Sequence, residues 1–346
     1  MNPLAGLSDI CDKPEYPDQK EKTQSKQQVT IKKIMPEPEN AAIEGKHIAK
    51  RKAFKWPFYG DPTVWDNEFE RAVLEALSLI NDGILESTAL IGHFEKKRHE
   101  IAVKRKNKDS VQFGLRRDDP LHFSKFNNAR SYYTSLYLTG AYGYALERAL
   151  TMPYDADHYI NKRGPAGKYW AEHFYPFSSV LRYGLVQGKI KEQKIPLTQN
   201  VFAFWIKDKD AERFFGDDEE EDYALTANGP VSGIWLHPDR DIIPVCIAHI
   251  NEMIEKCLHG DLTFIPRIHW WYVHLAPTWR GSGGIAEMLT NTLCRLHGVD
   301  LPPWKDGVAP SVEVLLEPNE EKFCLNYHQL FENNQQELKT LFTAQD

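Results

Sequence analysis

Residues 269–291 read HWWYVHLAPTWRGSGGIAEMLTN, and within them Arg280, Gly281, Ser282, Gly283 and Gly284 stand directly before an apolar periodicity. Those residue types in that order suit a phosphate. The first turn of a helix has unpaired backbone N–H groups and a partial positive charge. Glycine lets an anion come close to those N–H groups. Ser282 adds a hydroxyl donor, and Arg280 adds a fixed fork of N–H groups that matches diphosphate oxygens. The same letters also fit a tight turn with no ligand, and spacing alone leaves both readings open. The run is not a Walker A loop, because no Lys-Ser/Thr follows the last glycine. It is not a dinucleotide fingerprint either, because a helix rather than a strand precedes it.

The elements that must hold this loop are mostly helical. After the glycines, Ile285, Met288, Leu289, Thr292, Leu293 and Leu296 recur at helical spacing, and His297-Gly298 ends the run. A helix is expected from near residue 262 to 275. Another carries Ile243, Cys246, Ile250, Met253, Ile254 and Cys257 on one face, and a last one starts near Asn319 and runs past Phe323, Tyr327 and Phe331. Upstream, Asp66 is a candidate N-cap before Phe69, Val73, Leu77 and Ile80, with Asp82-Gly83 as the stop. A second helix is expected over 84–94, an irregular basic stretch over 95–125, and one or two aromatic-rich helices over 127–152. Residues 180–186 and 195–206 are β-branched and aromatic and predict a β-hairpin or meander. The acidic run 217–222 reads as a solvated loop. The expected fold class is mainly α with a small antiparallel β element (α+β), formed by one domain over residues 56–346. Residues 1–55 are rich in Lys, Gln, Glu and Pro and are expected to be a disordered tail, because they cannot bury enough apolar area to offset their ordering entropy.

Composition bounds the function classes. The 346 residues are 42% hydrophobic and 12% aromatic, enough for a sizeable core. A net charge of -7 argues against a dedicated nucleic-acid binder. The basic stretch Lys96 to Lys108 reads as a solvated helix face or loop, with a docking patch for an acidic partner as the other reading. Five cysteines (Cys11, Cys246, Cys257, Cys294 and Cys324) are odd in number and scattered, which predicts neither a disulfide framework nor a metal site. Three of them lie on apolar helical stripes and read as buried thiols. No apolar run is long enough for a transmembrane segment, no cleaved secretory signal is expected, and residue 2 is Asn rather than the Gly that N-myristoylation requires.

The helix–loop–helix resembles the Fic motif, roughly HPFxxGNGR. Pro277, Gly281 and Gly283 match it, whereas the motif's His, Asn and final Arg fall on Ala276, Ser282 and Gly284. A fuller resemblance is to the AvrB/AvrC family of type III-secreted effectors. It is carried by His269-Trp270-Trp271, Pro277, Arg280-Gly281-Ser282, Glu287, His297-Gly298, Leu301-Pro302-Pro303, Gly307, Glu313, Phe323 and Tyr327. It extends upstream through residues 237–244 and 176–181.

That resemblance implies a Fic-like helical core with an added lobe. It implies a secreted virulence (avirulence) effector that reaches the host cell cytoplasm by a non-classical route and acts on an immune-regulator protein of a plant. It further implies a glycosyltransferase that takes a rhamnose-type sugar from a nucleotide sugar, the donor being a substrate, with no separate cofactor. Arg280 matches the family's diphosphate-binding arginine, and His237 matches its cleft histidine; the other readings are a surface arginine and a turn residue before Pro238. The family's functional Asp falls on Ser311, placed here with the diphosphate-binding residues. Asp306 is the candidate base for the acceptor hydroxyl if its loop is remodelled. Family cleft Thr and Tyr positions fall near Ala171 and on Phe177. The alternative is a non-catalytic effector that binds a host protein. AMPylation is disfavoured by Ala276.

Overall fold

The structure is a computed structural model that describes residues 62–107, 110–123, 132–137, 159–163, 180–204, 230–305 and 308–343. The expected tail, the acidic loop, Ala171, Phe177 and Asp306 lie outside the described residues. Everything below belongs to the unit Gly45–Asp346.

The fold is mainly α with an antiparallel β element. Its centre is α5 (Ile265–Leu275), in which every residue but Arg267 is buried. A helix apolar on all sides must be surrounded. α6 (Ser282–Leu296) packs along it, and α4 (Ile243–Leu258), α7 (Pro310–Leu316) and α8 (Glu320–Asn326) also touch it. α1 (Pro62–Asn81) and α2 (Ser87–Lys104) close over α6. α3 (Pro120–Phe123) is a single turn, and α9 (Gln335–Phe342) ends the described chain.

The His-Trp-Trp triplet fixes α5 rather than facing a ligand. His269 Nδ1 lies 2.9 Å from the Tyr327 hydroxyl, and Trp270 Nε1 donates to the Glu317 carbonyl at 2.9 Å. Trp271 packs on Gly188, where a β-carbon would meet its ring at 2.3 Å. Only glycine lets the hairpin approach the helix this closely.

Five strands form one antiparallel sheet in the order β1-β5-β4-β3-β2: β1 Tyr132–Tyr137, β2 Tyr159–Arg163, β3 Val180–Ile190, β4 Gln193–Phe204 and β5 Pro230–His237. The expected hairpin is β3–β4. β1, β2 and β5 were not foreseen, and β1 replaces a predicted helix. Its aromatic run SYYTSLY suits a pleated surface as well as a helix, and pairing of Tyr132 to Tyr137 with β5 decides the matter.

Three helix bounds also differ. α1 begins at Pro62, four residues before the expected cap Asp66, and proline's fixed φ suits a helix start. α2 continues to Lys104 through the stretch read as irregular, because Phe94, Arg98, Ile101 and Ala102 make a buried stripe beneath its basic face. The helix at 319 is shorter than expected. Asn319 caps it at Lys322 N–H, and it gives way to a tighter turn over Tyr327–Leu330.

Candidate functional site

α5 stops at Ala276, which adopts a left-handed conformation (φ 42°) before Pro277 bars any continuation. The carbonyls this exposes are taken up by Arg117, a fully buried side chain. Its Nε donates to Ala276 O at 2.7 Å, and its Nη2 donates to Leu275 O at 3.0 Å and Pro238 O at 3.1 Å. A cation at a helix C-terminus meets the negative end of the dipole.

The loop that follows is laced to residues 112–117. Arg117 N–H donates to Pro277 O, Trp279 N–H to Leu115 O, Gly114 N–H to Arg280 O and Arg280 N–H to Gln112 O, at 2.8, 2.9, 3.0 and 3.2 Å. Gly281 then turns at φ 91°, a region that favours glycine, and α6 begins. Among the described residues, none accepts a hydrogen bond from the N–H of Ser282, Gly283 or Gly284. Three first-turn amides thus stand open at the positive end of α6.

Each glycine side of this turn is filled by a neighbour. A β-carbon on Gly281 would meet Arg98 Cγ at 2.8 Å, one on Gly283 would meet Ser311 Oγ at 2.0 Å, and one on Gly284 would meet the Trp65 ring at 2.6 Å. Close packing therefore requires the glycines whether or not an anion comes. Ser282 shares its hydroxyl with the loop. Thr278 Oγ1 donates to Arg280 O at 3.0 Å, so the Ser282 hydroxyl is the donor in the 2.8 Å contact between the two side chains. Its hydrogen points into the loop, and the open group at Ser282 is the amide.

Two guanidiniums flank the turn. Arg280 donates from Nε to Gln112 Oε1 at 3.1 Å. Arg98, only 6% exposed, lies with its guanidinium carbon 4.7 Å from the Trp65 ring centre and 4.2 Å from that of Phe113. The reading of 96–108 as a solvated face or a docking patch places it outward. The signal that finds it is its place in the buried α2 stripe, three residues after Glu95 and four after Phe94.

His237 ends β5 opposite Tyr132 and is 3% exposed. Its Nδ1 donates to the His274 carbonyl at 2.9 Å, which leaves Nε2 as the ring's acceptor. Burial above all, with Arg117 nearby, lowers its pKa to about 3 against the opposing hydrogen bond, so the ring is neutral. Thr198 of β4 also donates to His274 O, at 2.9 Å. His237 thus sits behind the loop, in a buried polar layer under Ala276. It is a hydrogen-bonding group there and a weak base.

A carboxyl that the sequence did not single out stands on the other side of residues 112–117. Glu95 of α2, 8% exposed, accepts from the Tyr272 hydroxyl at 3.2 Å and from Arg116 at 3.4 Å, while Arg116 grips Asp118 through two 2.8 Å bonds. Burial pushes Glu95 up to about 7, against the pull of Arg116 and Tyr272. Of the expected site, the structure brings together Arg280, Gly281, Ser282, Gly283, Gly284 and Ser311 at one helix end and sets His237 behind them. Among the described residues no three His, Cys, Asp or Glu side chains converge as metal ligands.

These features define a mainly helical α+β protein built on a central helix–loop–helix, with an arginine and a glycine-rich turn before the second helix. The model of the AvrB/AvrC family of avirulence proteins matches residues 109–334, and the chain belongs to that family. Avirulence protein B of Pseudomonas savastanoi pv. glycinea is 29% identical over 104 residues, covering 28% of this chain. The match spans about a third (32%) of that relative's length. No described helix is long and apolar enough to cross a membrane.

Proposed function

We propose that this chain is an effector that binds a nucleoside diphosphate at the start of α6 and transfers a sugar, of the rhamnose type, from a nucleotide sugar to a hydroxyl of a host immune-regulator protein. The observation that carries the reading is the row of open amides at Ser282, Gly283 and Gly284 beside Arg280. In the reaction the acceptor oxygen bonds to the anomeric carbon as the bond from that carbon to the phosphate oxygen breaks. The electron pair leaves with the diphosphate, where preorganised N–H groups and a guanidinium stabilise the growing charge. Asp306 is the proposed base for the acceptor proton. His237, matching the family's cleft histidine, is the proposed hydrogen-bonding partner of the nucleotide or donor sugar. Delivery into the host cell by a non-classical secretion route belongs to the same proposal. Ala276 has no ring to act as the general base that AMPylation uses.

A second reading is a host-protein-binding effector without turnover. The deep burial of His237 and the hydroxyl, rather than carboxylate, that Ser311 brings to Gly283 favour it. Thermal shifts with UDP, UDP-sugars, ADP and ATP test the shared premise, since a ligand of the folded state raises its stability. Incubation with nucleotide sugars and plant extract, followed by mass spectrometry of peptides, tests transfer. Arg280→Ala separates the readings. Transfer predicts loss of nucleotide shift and of modification together, whereas the binding reading predicts that partner capture survives.

A further inference from the structure

We infer that Thr278 is a positioning residue that holds the turn before α6 in the shape a diphosphate needs; the inference rests on the nucleotide-binding reading above. Residues 112–117 pin the loop through the backbones of Pro277, Trp279 and Arg280. Those bonds stop short of Gly281, the residue at which the chain has most freedom, and the open amides lie beyond it. The Thr278 and Ser282 hydroxyls, both on buried residues, span that glycine. Thr278 backbone N–H donates to Ser282 Oγ at 3.4 Å, the Ser282 hydroxyl donates to Thr278 Oγ1 at 2.8 Å, and Thr278 Oγ1 donates to the Arg280 carbonyl at 3.0 Å. Each hydroxyl gives one hydrogen and takes one, so the chain of bonds runs in a single direction. It ends on the carbonyl that also accepts Gly114 N–H, at 3.0 Å.

The consequence is preorganisation. Side chains, not a ligand, close the ring of residues 278–282 and keep Gly281 at φ 91°. The amides of Ser282, Gly283 and Gly284 therefore hold their direction before a diphosphate arrives, and less ordering is left for the ligand to impose. The ring also turns the Ser282 hydroxyl hydrogen into the loop, so the first turn of α6 offers its backbone donors alone. Thr278 acts through Ser282 and the turn, without touching the ligand.

The test is UDP affinity, read by isothermal titration of the full chain at a temperature where every variant is folded. Thr278→Val keeps the side chain's shape without its hydroxyl and is expected to weaken UDP about fivefold, within the range of one neutral hydrogen bond. Thr278→Ser, which keeps the hydroxyl, is expected to bind like the parent. Ser282→Ala cuts the same tie from its other end and is expected to cost about as much. Adding Thr278→Val to it should cost little more, because the two hydroxyls act as a unit. A role in stability alone would lower the melting temperature and leave the affinity of the folded protein unchanged. Unchanged or tighter UDP binding by Thr278→Val, a loss that Thr278→Ser shares, or losses that add in the double variant overturn the role of Thr278 while the nucleotide site stands. Failure of the parent protein to bind UDP overturns both. If Thr278→Val does not fold, Ser282→Ala carries the test, and unchanged binding by that variant is the overturning result.

Discussion

Ser311 lies against Gly283 so closely that a β-carbon on Gly283 would stand 2.0 Å from the Ser311 hydroxyl oxygen. A small polar group thus stands over the first turn of α6. Gly283→Ala is expected to destabilise the protein by about 1–3 kcal/mol through overpacking. Adding Ser311→Gly should return most of that loss. Urea unfolding of the two single variants and the double variant measures the recovery, and additive losses would show that the two residues do not share this space.

Arg117 holds three carbonyls of α5 and β5's following turn with one guanidinium. Arg117→Met fits the volume and leaves those acceptors stranded. The expected cost is about 3–5 kcal/mol, the range for removing one partner of a buried charged arrangement. Arg117→Lys is expected to recover only part of it, since an ammonium lacks the fork. Denaturant midpoints with an unchanged slope are the measurement.

Glu95 binds its proton more tightly in the folded chain than in the unfolded one, its pKa rising from 4.5 to about 7. Between those values the folded state holds the extra proton, so this group's contribution to stability is full below about pH 4.5 and falls as pH rises to about 7. One pKa unit corresponds to about 1.4 kcal/mol, which makes roughly 3 kcal/mol the ceiling. Glu95→Gln should flatten the decline between pH 5 and 7, and parallel pH profiles for the two proteins would refute the assignment.

Cys246, Cys257, Cys294 and Cys324 are buried and free, and burial raises all four thiols, Cys246 and Cys324 to about 12. The reactive thiolate is therefore scarce. None of the four should react with a disulfide reagent at pH 8 before the protein unfolds, as peptide mapping of the labelled sites would report.

The helical framework was readable from the sequence because its signals are local. The stripes of α4 and α6 and the stop at Gly298 follow from periodicity and turn chemistry alone. The glycine loop was readable as a loop, and its arginine as a flanking cation. What escaped depends on partners distant in the chain. Tyr132–Tyr137 becomes a strand because β5 lies beside it, and periodicity in one segment cannot report that. Arg117 is 158 residues from Leu275, whose carbonyl it holds, and nothing around it marks the helix end it serves. Arg98 looked like one charge in a basic run, yet its helical phase with Phe94 and Ile101 puts it inward. The glycines admit both an incoming anion and a ligand-free tight turn, and the close approach of Arg98, Ser311 and Trp65 to the sides they leave bare is a tertiary fact that spacing does not report.

The carbonyl of His274 receives both Thr198 from β4 and His237 from β5, and Arg117 ties down the next two carbonyls of the same helix turn. One peptide group thus joins two strands of the sheet to the central helix, and the glycine loop departs two residues later. β4, the end of β5 and the root of the glycine loop therefore share one anchorage, although they are far apart in the chain.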